Sequence, residues 1–250
     1  MKNLPIDELR HAGPEATPLA EAILALVRGK VRDAYAASGQ DWALFAMSGN
    51  TALVDAGMMQ DVERSVLASG YRFDWSAAVS VGENPAIYKP GPDADGKGDS
   101  FMFEHPDAPV GELDENGMAL CGVGDNVVRH ARNVTGTARY IRSNERVLQY
   151  LTDGVPPGTI AVIDDSGGTL TAPIIDQFAG VICAGGTVRS HLGILSREYN
   201  IPCLMNAKVT GIRDGDTVTI EASADAKTAE DYQEKIDRTG KVWRHEGGAA

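Results

Sequence analysis

The residues best placed to do chemistry lie around one histidine. The run Gly185-Gly186-Thr187-Val188-Arg189-Ser190-His191-Leu192-Gly193-Ile194-Leu195-Ser196-Arg197-Glu198 is followed by Tyr199-Asn200-Ile201-Pro202. Two adjacent glycines permit a tight turn and a close backbone approach. Ser190 is a good helix N-cap, so His191 falls in the first helical turn, beside unpaired N–H groups and the positive end of the helix dipole. Asn200 suits a left-handed helix end, and Pro202 blocks continuation. An anionic group on His191 would be held by those N–H groups. A free imidazole is a nucleophile and is partly neutral near pH 7, with an ordinary pKa of about 6.5. Such a position suits a histidine that accepts and returns a phosphoryl group, with Arg189 and Arg197 near enough in sequence to neutralise charge. On these residues alone a second reading stands beside the first: a solvated histidine at a helix start, the commoner situation for a lone histidine.

Other chemistry-bearing residues are less organised. Asp93, Asp95, Asp99 and Glu104 imitate a calcium-binding loop, but Lys97 stands where an oxygen ligand is required and the flanks read as strands, so a solvated hairpin loop is expected. Cys183 and Cys203 sit in apolar strand contexts and are expected to be buried small hydrophobes rather than zinc ligands. His11, His105, His130 and His245 have no partner at ligand spacing. Trp42, Phe45 and Met47, before Ser48-Gly49-Asn50, are expected to pack in a core, with an acceptor pocket as the alternative; Tyr88 and Lys89 are open.

The elements that must position His191 follow from periodicity. A helix starts at Thr17-Pro18, carries the apolar stripe Leu19, Ile23, Leu26 and Val27, and ends at Gly39; a second runs from about Thr51 to Ala68, closed by Gly70. Short strands are expected at SAAVSVG, AIYK and SFMF, and the segment from Gly117 to Asn133 is ambiguous. From Val134 the order is strand VTGTARYIR, helix NERVLQYLTD, strand TIAVID, short helix APIIDQF, strand GVICA, the His191 loop and helix, and the strands CLMN and TVTIEA. That alternation predicts an α/β domain. The expected division is an N-terminal α+β domain over 1–130, an α/β domain over 131–225 and a polar helical tail over 226–250, with the junction near residues 125–133.

The formal net charge of -12 disfavours nucleic-acid or anionic-membrane partners, and a hydrophobic fraction of 43% is ordinary for a soluble globular chain. No apolar run approaches the ~20 residues that span a bilayer. The N-terminal MKNLPIDELRHAGPEATP has no secretory h-region, and three cysteines do not make a disulfide framework, so a cytoplasmic location is expected.

The pattern Gly185-Gly186, Ser190-His191, Gly193, Ser196-Arg197-Glu198 and Asn200-Ile201-Pro202 resembles the phosphohistidine swivelling (mobile) domain of the PEP-utilising enzyme family. The likeness extends from Val134 to Ala222, through VPPGTIAVIDDSGGTLTAPIIDQFAGVIC to the closing hairpin VTGIRDGDTVTIEA, about a third of the chain. Arg189 stands where the family usually has Thr, the loop before the histidine is one residue longer, and Asn200 and Asn206 replace usual glycines. The resemblance implies a swivelling β/β/α domain, His191 as catalytic phosphoryl carrier, and phosphate stabilisation by Ser190, Arg189, Arg197, Gly185 and Gly186. In the family the domain swings between an ATP-grasp domain and an acceptor site. Residues 1–130 are too few for both, and no GxxxxGK[ST] loop is present. The expectation is therefore one subunit of a split dikinase, similar to phenylphosphate synthase or the hydroxyphenyl-ketone kinases. ATP and Mg²⁺ would enter through a separate ATP-grasp subunit, and the acceptor would be a small hydroxylated molecule such as a phenolic compound. The alternatives are a PEP-dependent phosphotransfer component and a non-catalytic swivelling module.

Overall fold

The computed structural model describes residues 18–47, 55–70, 85–90, 101–164 and 167–246. The chain divides into a unit of Met1–Phe73 and a unit of Asp74–Ala250.

The described part of the first unit is helical. Helix α1 (Pro18–Ser38) buries Leu19 and Ile23, while Leu26 is 37% exposed, so the expected stripe is narrower than its four residues. Gly39 follows in a left-handed conformation with φ 62°. Helix α2 (Trp42–Met47) was not expected: six residues give too little periodicity, but Asp41 caps it, its Oδ1 accepting from the amides of Ala43 and Leu44. Phe45 is buried against Tyr35, as core packing requires, whereas Trp42 and Met47 are exposed. Helix α3 (Ala56–Ala68) starts at Asp55, which accepts from the Met58 amide at 2.7 Å.

The second unit is a closed seven-stranded barrel. The strands β1 (Tyr88–Pro90) and β2 (Phe101–Phe103) form a separate antiparallel ribbon. The barrel strands are β3 (Met118–Asn126), β4 (Val134–Tyr140), β5 (Thr159–Ile163), β6 (Gly180–Cys183), β7 (Cys203–Val209), β8 (Thr217–Ile220) and β9 (Gly240–His245), in the order β3-β7-β6-β5-β4-β8-β9. Strands β4, β5, β6 and β7 run parallel; the pairs β4/β8, β8/β9, β9/β3 and β3/β7 are antiparallel. The helices are α4 (Asn144–Asp153), the short α5 (Gly167–Leu170), α6 (His191–Glu198) and α7 (Ala229–Glu234), with a 3₁₀ turn at Ala172–Gln177.

Alternation sorts the strand side chains into two cores. Ala138, Tyr140, Ile160, Val162, Ile182, Leu204, Val218, Ile220 and Val242 fill the barrel, with Tyr88 and Phe103 of the ribbon. Ala161, Ile163, Val181, Cys183, Cys203 and Met205 face outward and are covered by Val147 and Tyr150 of α4, Ile174 and Ile175 of the 3₁₀ turn, and Leu192 of α6. Strands covered on both sides read as continuous apolar runs, which is why TIAVI and GVIC were legible.

The domain boundaries expected from sequence need correction. The division falls between Phe73 and Asp74 rather than near 125–133: β3, paired with both β7 and β9, runs to Asn126 inside the second unit. The strands of the expected N-terminal α+β domain belong to the second unit, leaving only helices among the described residues of the first. The expected polar tail is structural: after α7 the chain returns as β9 and closes the barrel. The SAAVSVG strand and the Asp93–Asp99 loop lie outside the described residues. Among those described, no helix is long and apolar enough to cross a membrane.

Candidate phosphoryl-carrier site

Parallel strands place their C-terminal ends at one edge, where βα loops build sites. The loop between β6 and α6 lies at that edge. Its path is fixed by backbone bonds. The Asn206 amide donates to the Gly185 carbonyl at 3.0 Å, Gly186 turns with φ 69°, and the Ser190 amide donates to the Thr187 carbonyl at 2.9 Å. Ser190 is extended and its Oγ accepts from the Gly193 amide at 3.5 Å, while its carbonyl accepts from the Ile194 amide at 3.0 Å. Ser190 is thus the N-cap, and His191 is the first residue of α6, with an exposed side chain. The amides of His191 and Leu192 have no intrahelical partner at that position, and free N–H groups at a helix start can hold an anion.

The helix end also follows the sequence. The Ile201 amide donates to the Ser196 carbonyl at 2.8 Å and the Asn200 amide to Arg197 at 3.3 Å, a Schellman motif with Asn200 at φ 54°. Asn206 has φ 49°. The two asparagines that stand at usual glycine positions therefore both occupy left-handed backbone, which asparagine tolerates better than other non-glycine residues.

Gly193 is required by space. A Cβ there would lie 2.4 Å from the carbonyl oxygen of Val188. Gly193→Ala is therefore expected to push the helix start off the loop, destabilising the chain by about 1–3 kcal/mol and slowing phosphoryl uptake at His191. Thermal melts and phosphohistidine mass spectrometry check this; a variant with wild-type melting and uptake would contradict the close approach.

The arginines divide. Arg197 is committed to the loop, its Nη1 donating to the Val188 carbonyl at 2.7 Å. Arg189 is exposed and lines, with Thr187, Ala229, Tyr232 and Gln233, an open cleft of about 420 Å³. Gly185 and Gly186 act through the loop's shape.

Two clusters were not seen in the sequence. At the same strand edge the wholly buried Arg142 has Nη2 3.5 Å from Asp164 Oδ2, which also accepts from the Tyr88 hydroxyl at 3.0 Å, and its guanidinium lies 4.7 Å from the Tyr88 ring centre. Tyr88 is thus a core residue. The second cluster joins Asp125, Lys227 and Tyr232 behind the His191 loop. No local signal marks either cluster.

The remaining candidates fall elsewhere. All three cysteines are buried, and burial pushes the Cys121 and Cys203 thiols up to about 12. His245 Nε2 is 2.8 Å from Thr219 Oγ1, and His130 donates its amide to Ala222 across the barrel wall. His11 lies outside the described residues. Among the described residues no three His, Cys, Asp or Glu side chains are grouped to hold a metal ion.

Comparison with protein families finds a likeness for this region. Residues 155–225 match the family model of the PEP-utilising enzyme, mobile domain. This segment is similar to the mobile domain of PEP-utilising enzymes. It spans β5 to β8 and contains the whole His191 loop and α6. A mobile domain of this family is a phosphohistidine-carrying phosphotransfer module, and His191 is the exposed, N-capped histidine within it. No curated protein matches the chain.

Proposed function

We propose that this chain is the phosphohistidine-carrying subunit of an ATP-dependent, dikinase-type phosphotransferase that phosphorylates a small hydroxylated acceptor through phospho-His191. The observation that carries the reading is the exposed imidazole at the first position of a capped helix inside the mobile-domain match. A separate ATP-grasp subunit supplies the nucleotide with its Mg²⁺. In the first half-reaction a nitrogen of His191 attacks the β-phosphorus of ATP and displaces AMP, and water then cleaves the transferred pyrophosphoryl group, releasing phosphate and leaving phospho-His191. In the second, the acceptor oxygen attacks phosphorus, the N–P bond breaks, and the hydroxyl proton is taken up by the released imidazole. Splitting the transfer is covalent catalysis, and positioning plus charge neutralisation supply most of the acceleration. The likeness to split dikinases favours a phenolic acceptor and a cytoplasmic setting.

The test uses the full chain, Mg²⁺, a co-purifying or gene-neighbour ATP-grasp protein, and ATP labelled at either the β or the γ phosphate. Acid-labile label from the β position is the expected result. Label taken only from phosphoenolpyruvate would replace this reading with a PEP-dependent component. No acid-labile label from either donor would make the chain a binding or regulatory module. Calorimetry on the chain alone is expected to show no micromolar ATP binding; such binding would overturn the split arrangement.

A further inference from the structure

The peptide of Val188 is held from two sides. Its carbonyl accepts from Arg197 Nη1 at 2.7 Å, and its amide donates to the Tyr232 hydroxyl at 3.4 Å. The same hydroxyl donates to Asp125 Oδ2 at 2.7 Å. The other carboxylate oxygen of Asp125 accepts from Lys227 Nζ at 2.8 Å, and that ammonium lies 4.7 Å from the centre of the Tyr232 ring. The Asp125 and Lys227 side chains are 3% and 11% exposed, so this is a nearly dry ion pair with an aromatic lid.

Each end of this chain of contacts is anchored. Asp125 lies in β3, paired with Met205 of β7. Tyr232 lies in α7, whose start is fixed by a reciprocal cap between Thr228 and Asp231 and whose Asp231 also accepts from Arg238 Nε at 2.9 Å. Val188, in turn, is the surface on which α6 begins, since Gly193 abuts its carbonyl. Asp125, Lys227 and Tyr232 all lie outside the matched residues 155–225, so the flanking segments of this chain add the support to the mobile domain.

We infer that Tyr232, backed by Asp125, is a positioning residue for phosphoryl transfer at His191: a strut from the barrel wall, through α7, to the loop that aims the α6 N-terminus. This rests on His191 being the phosphoryl carrier. The N–H groups at the helix start stabilise a phosphoryl group only when the loop holds them in place, and small displacements in such sites reduce rates steeply. Burial and the Asp125 carboxylate push the Tyr232 phenol up to about 12, so it stays protonated and donates throughout the neutral range.

The test compares full-length wild type, Tyr232→Phe and Asp125→Asn, with phosphoramidate as a small-molecule donor that needs no partner. The imidazole nitrogen attacks phosphorus, the donor's P–N bond breaks and ammonia leaves. Peptide mass mapping follows uptake at His191 and, after the donor is removed, its loss to water. Amide hydrogen exchange at Val188 and the thermal midpoint are measured on the same samples. Tyr232→Phe is expected to slow uptake or speed loss about three- to tenfold, the worth of one hydrogen bond, with faster exchange at Val188 and nearly unchanged melting. Asp125→Asn, which keeps an acceptor for the phenol, is expected to change both in the same sense but less, and it carries the comparison if Tyr232→Phe does not fold. Unchanged His191 kinetics in the folded variants, whatever happens to the melting temperature, would overturn the proposal. Wild type that takes no phosphate at His191 would instead overturn the carrier reading, while a Val188 amide unaffected by Tyr232→Phe would remove the strut on its own.

Discussion

Replacing His191 with alanine is expected to yield a folded chain that takes up no phosphate. The side chain is exposed and stands at the first position of α6, where alanine is a good helix former. The cap is made by Ser190 Oγ and the Ser190 carbonyl, neither of which depends on the imidazole. Stability is therefore expected to change by less than about 1 kcal/mol. Phosphoryl transfer is expected to be lost because no neighbour replaces the nucleophile: Ser190 Oγ is occupied as an acceptor, and a guanidinium has no lone pair to offer. Intact mass after incubation with ATP, Mg²⁺ and the ATP-grasp partner decides the matter. Wild type should gain one phosphate that is labile in acid and stable in base, as a phosphoramidate is, and the variant none. An adduct persisting in His191→Ala would remove His191 from the mechanism. Arg189→Ala and Arg197→Ala should act more mildly and differently. Arg189 lines the open cleft and offers charge, whereas Arg197 also braces Val188, so its loss should loosen the loop as well.

How much of this was readable in the sequence depends on the range of the interactions. The His191 loop was legible because its signals are local. A serine cap, a glycine turn before it, and an asparagine before Ile-Pro each act within a few residues, and each appears in the structure as expected. The same holds for α4, whose Ser143 cap and Gly154 stop frame NERVLQYLTD. The barrel's closure was not legible. Its closing strand, GKVWRH, buries only Gly240 and Val242 and stands among charged residues, so its period-2 pattern is too short to register. The ambiguity at Gly117–Asn133 has the same origin: β3 acquires its identity from partners far along the chain, including β9. Nor can the strut be read locally, since Tyr232 and Asp125 are 107 residues apart. Tyr232 looked like one aromatic on a polar helix, and that helix has little apolar face because its anchor is a hydroxyl and an ion pair. The acceptor has no comparable signal: Trp42 and Met47 are exposed in the first unit, and Ser48-Gly49-Asn50 fall outside the described residues.

Ending the chain after residue 225, where the family match stops, is expected to unfold the barrel rather than trim a tail. Strand β9 is paired with β3 at six positions and with β8 at three, and its loss leaves two neighbouring strands with open edges. Val242 leaves the interior, and with it the carbonyl that accepts from Cys121 Sγ at 3.3 Å. Gly240, where a Cβ would come within 2.9 Å of Leu204, leaves a gap against the inner wall. Asp125 then loses both Lys227 and Tyr232 while still embedded in β3, and stripping the partner from a buried charge costs about 3–5 kcal/mol by itself. That is comparable with the lower end of the 5–15 kcal/mol by which domains of this kind are usually stable, before the lost strand is counted. The expected result is loss of the cooperative thermal transition and of near-ultraviolet ellipticity, with the 1–225 chain aggregating or remaining compact but unfixed. A 1–225 chain that melts as sharply and at the same temperature as the full chain would show that β9 only decorates the fold. Partial recovery on adding a peptide of residues 226–250 would locate the missing stability in the strand and its preceding helix, because nothing else in the truncated chain would have changed.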